Sequence, residues 1–353
     1  MNDFDEQLRK LIHMERHNFA GSSSRAIVEL VNLLFDFAIK IRASDLHIEP
    51  FEKSLRVRYR IDGQLQELHQ PLPLNLADAL TSRIKILARM DTTAAFLPLD
   101  GAIQFGNVEM RVASMPSFGA ESLTIRLLDA NLELHRLKDL GFSSANEKIF
   151  RQMINSAAGM IILTGPMNSG KSTTLYAALR ELNQPTRSIM TLEDPIEQHV
   201  EGISQVQVNE KTGLTFAAGL RAMLRMDCNV LMVGEARDAE TSKIAVRAAL
   251  TGHLIFTTLH ANDSCSAVFR MLEMGVEPYL LAATLNGVVA QRLVRKVCPR
   301  CNAKGCEHCR GTGYSGRIAL HEILRVDKNL RKLILNSRDL DEIKTFALEN
   351  GSL

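Results

Sequence analysis

Gly165-Pro166-Met167-Asn168-Ser169-Gly170-Lys171-Ser172 decides the fold of this 353-residue chain. The stretch fits G-x-x-x-x-G-K-[ST], with an apolar run of strand character before it (160–163) and a helical pattern after it (173–182). Strand, glycine-bearing turn and helix in that order make a phosphate loop. Its glycines let the backbone curl until successive N–H groups point inward, and the helix N-terminus adds positive potential. Lys171 reaches the terminal phosphates, and the Ser172 hydroxyl is placed to ligate Mg²⁺. Gly165, Pro166, Met167, Asn168, Ser169, Gly170, Lys171, Ser172 and Thr173 are therefore the nucleotide-binding candidates.

Three further apolar runs lie downstream. The run 230–233 ends in Gly234 and Glu235, where a carboxylate polarises an attacking water or holds the magnesium shell; the bland alternative is a buried strand with one solvated glutamate. The run 188–192 ends in the acidic stretch Glu193-Asp194-Pro195-Ile196-Glu197, and the run 254–258 is bracketed by His253 and His260, which could equally be ordinary polar residues at strand ends. Strands alternating with helices imply a doubly wound, mostly parallel α/β sheet. All its strand C-termini open on one edge, which would gather the phosphate loop, Glu193, Asp194, Glu235 and His260.

Upstream the pattern differs. Residues 1–20 are polar and only weakly helical, and a helical stripe follows from Ile27 to Ile41. Short strands are expected at 46–49 and 55–61, the latter followed by an Asp62-Gly63 hairpin turn, and again around 101–105, 108–114 and 122–127, with a helix over 76–88. The expected division is a polar segment 1–20, a small α+β domain 21–128, a linker 129–140 and a phosphate-loop α/β domain 141–353. Arg56, Arg58 and Arg60 alternate along one strand, on one side of it. Buried within their own domain they would be unpaired and costly, so a junction with nucleotide is the expected partner; a solvated face is the alternative.

Cys298, Cys301, Cys306 and Cys309 form two C-x-x-C pairs within the module 298–309. In a reducing compartment this spacing reads as tetrahedral thiolate ligation of a structural Zn²⁺, with Gly305 as the flexible residue of the short spacer 302–305. The composition excludes a disordered or fibrous chain, with 46% hydrophobic and 23% charged residues. A net charge of +2 advertises no general affinity for nucleic acid, and neither an 18-residue apolar span nor a signal peptide is present. A cytoplasmic protein is expected.

Taken together, Ala43-Ser44-Asp45-Leu46-His47-Ile48-Glu49-Pro50, Arg58-Tyr59-Arg60-Ile61-Asp62-Gly63, the phosphate loop, and the stretches 191–197, 233–241 and 251–263 resemble the ATPases of type II secretion and type IV pilus assembly. The resemblance runs from Ser24 to Leu324. It implies that 141–353 is a RecA-like ATPase domain joined to the small N-terminal domain, and with it a homohexameric ring, a polytopic membrane platform protein as partner, and peripheral contact with the inner face of the cell membrane. Lys171 and Ser172 resemble the nucleotide and magnesium ligands, Glu193 the aspartate-box glutamate, Glu235 the Walker B glutamate, and His253 and His260 the histidine box. Arg58, Arg60 and Arg111 resemble the arginines that the small domain offers to nucleotide. Asn168 stands where the family usually has Gly, and Asn tolerates a left-handed backbone. The tetracysteine module is like that of assembly and export motors, and the short N-terminal part is like that of Gram-positive competence-pilus ATPases. The expectation is thus an ATP-driven motor of a competence pilus, with a type II secretion ATPase as the alternative and a RecA-like nucleic-acid motor as the alternative of another class.

Overall fold

The computed structural model describes residues 2–17, 24–68, 70–94, 97–129, 136–336 and 339–350. The chain divides into two compact units, Met1–Leu132 and Glu133–Leu353. No described helix is long and apolar enough to cross a membrane.

The first unit opens with helices α1 (Asn2–His17) and α2 (Ser24–Lys40). Residues 1–20 were expected to carry little structure, yet Phe4, Leu8, Leu11 and Ile12 fall at i, i+4, i+7 and i+8, which is one face of a helix, and all four are buried in the unit's core. Strands β1 (Asp45–Pro50), β2 (Ser54–Ile61), β3 (Gln64–Glu67) and β4 (Leu72–Pro73) follow, then α3 (Ala77–Leu87), β5 (Leu99–Phe105), β6 (Val108–Pro116) and β7 (Glu121–Asp129). They form one antiparallel sheet in the order β3-β2-β1-β7-β6-β5, with β4 also on β2. Asp62 and Gly63 both take positive φ (50° and 86°), the two-residue turn that matches the strand twist between β2 and β3.

The β1–β2 register explains the alternating arginines. Leu55, Val57 and Tyr59 point into the core, and Arg56, Arg58 and Arg60 take the other face, opposite Glu49, His47 and Asp45 of β1. Arg58 Nη2 donates to Glu49 Oε1 at 2.6 Å and Arg56 Nε to Glu49 Oε2 at 3.1 Å. Arg60 Nε lies 3.4 Å from Asp45 Oδ2, and Arg126 of β7 reaches Asp45 Oδ1 at 3.2 Å. The premise that these arginines would be unpaired within their own domain is therefore corrected: the neighbouring strand supplies an acid for each. Burial pushes the Glu49 carboxyl up, but the hydrogen bonds from Arg58 and Arg56 outweigh it and hold the group below the usual carboxylate range. Arg111 lies on β6 in register with Arg126.

The second unit runs α4 (Ser144–Ile154), β8 (Gly159–Thr164), α5 (Lys171–Leu182), β9 (Ile189–Glu193), β10 (Ser204–Gln207), α6 (Phe216–Met223), β11 (Val230–Val233), α7 (Ala239–Leu250), β12 (Leu254–Leu259), α8 (Ser264–Glu273), α9 (Pro278–Thr284), β13 (Leu285–Val297), β14 (Tyr314–Arg325), α10 (Lys328–Asn336) and α11 (Leu340–Glu349). The sheet order is β10-β9-β11-β12-β8-β13-β14, parallel throughout except for the antiparallel edge strand β14. Every residue of β8, β9, β11 and β12 is buried, as a parallel sheet covered on both faces requires. Alternate residues serve different cores: Met160 and Ile162 join the cluster with α7, α8 and α9, and Ile161 and Leu163 the cluster with α4 and α5. The strand carrying the phosphate loop (β8) and the one leading to Glu235 (β11) are not neighbours. β12 lies between them, and its C-terminal end is thereby set beside both.

Candidate functional site

The turn from β8 into α5 holds the phosphate loop. Gly165, Asn168 and Gly170 take positive φ (145°, 59° and 85°), so Asn168 adopts the left-handed conformation its position demands. A Cβ at Gly165 would lie 2.3 Å from the Gln291 carbonyl oxygen, which leaves room for glycine alone. Lys171 Nζ donates to the carbonyls of Gly165 at 2.8 Å and Pro166 at 3.0 Å, folding back across the loop. Burial lowers the pKa of its ammonium, and the negative fields of Glu235 and Glu197 act against that shift. Met167 is exposed.

The acidic residues meet at the same edge but in two different environments. Glu193, at the end of β9, is only 4% exposed, and its carboxylate accepts from Thr191 Oγ1 at 2.5 Å, from Gln205 Nε2 at 3.1 Å and from the Tyr176 hydroxyl. Burial and the adjoining Glu193 charge push the Tyr176 phenol well above its ordinary range, so it stays a donor. Glu235, just beyond β11, is more open: its Oε2 accepts from Arg237 Nε at 2.6 Å and its Oε1 lies 3.1 Å from His260 Nε2. Arg237 also reaches Asp194 at 3.5 Å, and the hydrogen bond to Glu235 raises its pKa. Gly234 fits between because a Cβ there would sit 3.3 Å from the Leu192 carbonyl oxygen.

His260 is tied to the phosphate loop through the backbone. Thr164 Oγ1 donates to the Ala261 carbonyl at 3.1 Å and accepts from Ala261 N–H at 2.9 Å, locking the end of β12 to the end of β8. A cleft of about 340 Å³ opens there, lined by Gly165, Pro166, His260, Ala261, Asn262 and Phe269 among others. His253 is elsewhere. It precedes β12, beside Gly159 at the start of β8, and its Nδ1 lies 3.1 Å from the Ala248 carbonyl. A six-residue strand separates the two histidines by roughly 20 Å. The expected pair is thus split, because an extended strand carries its flanking residues to opposite ends, and the parallel pairing with β8 puts His260 at the phosphate-loop end. Arg58, Arg60 and Arg111 belong to the first unit, where the pairings above hold Arg58 and Arg60.

The four cysteines sit between β13 and β14. Their Sγ atoms lie within 4.8 Å of one another, with Cys301–Cys309 at 3.6 Å, Cys306–Cys309 at 3.7 Å and Cys298–Cys306 at 3.9 Å. A tetrahedral zinc with bonds of about 2.3 Å places its sulfurs about 3.8 Å apart, so donor type and spacing both fit that ion. Backbone N–H groups of Cys306 and Gly313 donate to Cys309 Sγ at 3.1 and 3.3 Å, as thiolate ligands require. Gly305, expected as the flexible residue of the short spacer, takes φ 87°, a left-handed conformation.

Several contributing residues escape a reading of the sequence. Thr191 was within reach, lying two residues before Glu193 on the same strand face; Arg237 follows Glu235 by two. Tyr176, Gln205 and Gln291 carry no local signal except, for Gln291, a lone neutral amide inside the buried half of a strand.

A phosphate loop feeding a helix, two acidic strand ends and an intervening β12 define a phosphate-loop ATPase. The family model for Type II/IV secretion system protein matches residues 21–352, and the chain belongs to that family. It is 47% identical over 337 residues to the type II secretion system protein E of Aeromonas hydrophila, covering 87% of this chain and 67% of the relative. It is 43% identical over 359 residues to the type IV pilus assembly ATPase PilB of Myxococcus xanthus, covering 92% and 63%. Its structure is similar to that of the pilus retraction motor PilT crystallised with bound ADP, with a TM-score of 0.65, 27% identity and coverage of 90% and 89%. These relatives correct the emphasis of the sequence reading: type II secretion is better supported than a competence pilus, which none of the three indicates. The competence expectation leaned on where the chain begins, and a chain that covers 67% and 63% of two of these relatives carries no such argument.

Proposed function

We propose that the chain is the cytoplasmic motor ATPase of a type II secretion system, a homohexamer acting on a polytopic membrane platform protein at the inner face of the cell membrane. The 47% identity to a type II secretion protein E carries the reading. Assembly of a type IV pilus is the second reading, favoured by the 43% identity to a pilus assembly ATPase. Deleting the gene in its host separates them. Loss of exoprotein release with surface pili intact supports secretion, and the converse supports the pilus.

In the proposed reaction the loop N–H groups and Lys171 hold the phosphates of ATP, and Ser172 ligates the accompanying Mg²⁺. Glu235 orients the water that attacks the terminal phosphorus as the bond to the bridging oxygen breaks, releasing ADP and phosphate. Arg237 and His260 each engage one Glu235 oxygen, and each oxygen keeps a second lone pair with which to accept from the attacking water. Glu193, enclosed by Thr191, Tyr176 and Gln205, acts as a buried brace for this edge.

Arg58 and Arg60 serve nucleotide at a subunit junction by leaving their strand partners, of which Glu49 is partly exposed and Asp45 is buried and keeps its pairing with Arg126. Specific activity is then expected to rise with protein concentration as rings form, and to fall in Arg58→Ala and Arg60→Ala variants with unchanged circular dichroism. Full activity in a sample shown to be monomeric by light scattering would remove both the ring and the arginines from the mechanism.

Cys298, Cys301, Cys306 and Cys309 hold a structural Zn²⁺, four thiolates closing its coordination sphere. One zinc per chain is expected by elemental analysis of reduced protein. Apparent ligation energies of about 10–16 kcal/mol in small zinc modules mean that a strong chelator should lower the melting temperature markedly. Metal-free protein with the same melting temperature as the isolated material would reject the site.

A further inference from the structure

We propose that Gln291 is a positioning residue that sets nucleotide affinity by orienting the phosphate loop from below. The inference rests on the phosphate-loop reading of 165–172 and deepens it. Gln291 lies on β13, one residue past Ala290, which is in register with Thr164 at the end of β8. It is 2% exposed. Its Nε2 donates to the Ser169 carbonyl at 2.8 Å, and its Oε1 accepts from Thr174 Oγ1 at 2.7 Å. Its own carbonyl oxygen occupies the space that any side chain at 165 would need, and its Nε2 would stand 2.8 Å from a Cβ at 170. The next residue, Arg292, donates to the Asn262 carbonyl at 3.2 Å in the loop after His260. One strand end therefore grips the phosphate loop, the first turn of α5 and the histidine loop.

The chemistry follows from peptide geometry. The Ser169 carbonyl and the Gly170 N–H belong to one planar trans peptide and point in opposite directions. With the carbonyl drawn to Gln291, the N–H faces the opposite side, where a loop of this type cradles phosphate. An amide suits the place because it donates and accepts at once. A carboxylate would keep the Thr174 bond and set an oxygen against the Ser169 carbonyl, and an apolar side chain would release both.

The test measures affinity for a fluorescent ATP analogue, kcat, KM and melting temperature in the full chain carrying Gln291→Glu, Gln291→Ala, Thr174→Val or Thr174→Ser, with Lys171→Ala alongside. The Gln291 variants are expected to weaken nucleotide binding and raise KM about tenfold, the scale of one lost buried hydrogen bond, with kcat much less changed. Thr174→Val should do the same more weakly, and Thr174→Ser, which keeps the hydroxyl, should restore affinity. A lowered melting temperature with wild-type affinity would overturn the proposal, since a merely structural residue behaves so. If the Gln291 variants do not fold, wild-type affinity in Thr174→Val overturns it. Loss of binding in Lys171→Ala alone refutes Gln291 and spares the loop; undisturbed binding in Lys171→Ala refutes the loop reading itself.

Discussion

Lys171→Ala is expected to leave a folded protein in which ATP turnover falls by at least about 10²–10³-fold, the loss found when one contact to developing charge is removed from a preorganised site. The side chain rests on the Gly165 and Pro166 carbonyls at 2.8 and 3.0 Å, contacts at the rim of the site whose loss costs the core nothing. Burial disfavours its charge in the resting protein, and Glu235 and Glu197 restore part of it. Bound phosphates would favour the charged form far more. Alanine removes that cation and its reach together, so binding as well as chemistry should suffer. Phosphate release assays at saturating Mg²⁺-ATP, with a melting curve on the same sample, decide the matter. A stable Lys171→Ala protein retaining more than a tenth of wild-type turnover would show that the phosphates are held elsewhere.

The parts of this site that could be read from sequence are those fixed by local backbone chemistry. Gly165 and Gly170 must be glycine because the backbone turns left-handed and Gln291 crowds it, and both demands leave a mark at fixed spacing. The four cysteines are similarly legible, because a tetrahedral ion dictates both ligand type and reach. Strand ends were legible as well: the short, largely apolar runs of β8, β9, β11 and β12, alternating with helical patterns, read as buried parallel strands. What stayed hidden depends on register between distant segments. Nothing local in Arg58 reveals that β1 places Glu49 within 2.6 Å of it, and nothing in Tyr176 reveals a bond to Glu193. His253 and His260 bracket one strand and so lie at its opposite ends, and the parallel pairing of β12 with β8 and β11 sets His260 at the phosphate-loop end. The helix α1 is a different kind of miss: its four apolar positions were present in the sequence, but a polar average concealed their spacing.

Glu235→Gln should slow hydrolysis by about 10²–10³-fold while ATP still binds within about threefold of wild type, because a general base is worth that much to chemistry and little to affinity. The substitution keeps side-chain volume and one acceptor oxygen. It replaces the other oxygen by an amide NH₂, which donates and does not accept, so Arg237, now 2.6 Å from Oε2, and His260, 3.1 Å from Oε1, no longer each face an acceptor oxygen. It also removes the charge that balances Arg237 and supports the Lys171 ammonium. The phosphate loop, braced by Gln291 and Thr174 on its far side, is untouched, which is why affinity should persist. Glu193→Gln provides the contrast. That carboxylate is enclosed by Tyr176, Thr191 and Gln205, so its neutral amide would face the Tyr176 and Thr191 hydroxyls with one acceptor too few, and the melting temperature should fall along with kcat. Single-turnover measurements with ATP separate the two outcomes. If Glu235→Gln turns over at the wild-type rate and Glu193→Gln is slow without loss of stability, the water is oriented by the buried carboxylate at the end of β9, and Glu235 serves only to hold Arg237 and His260 in place.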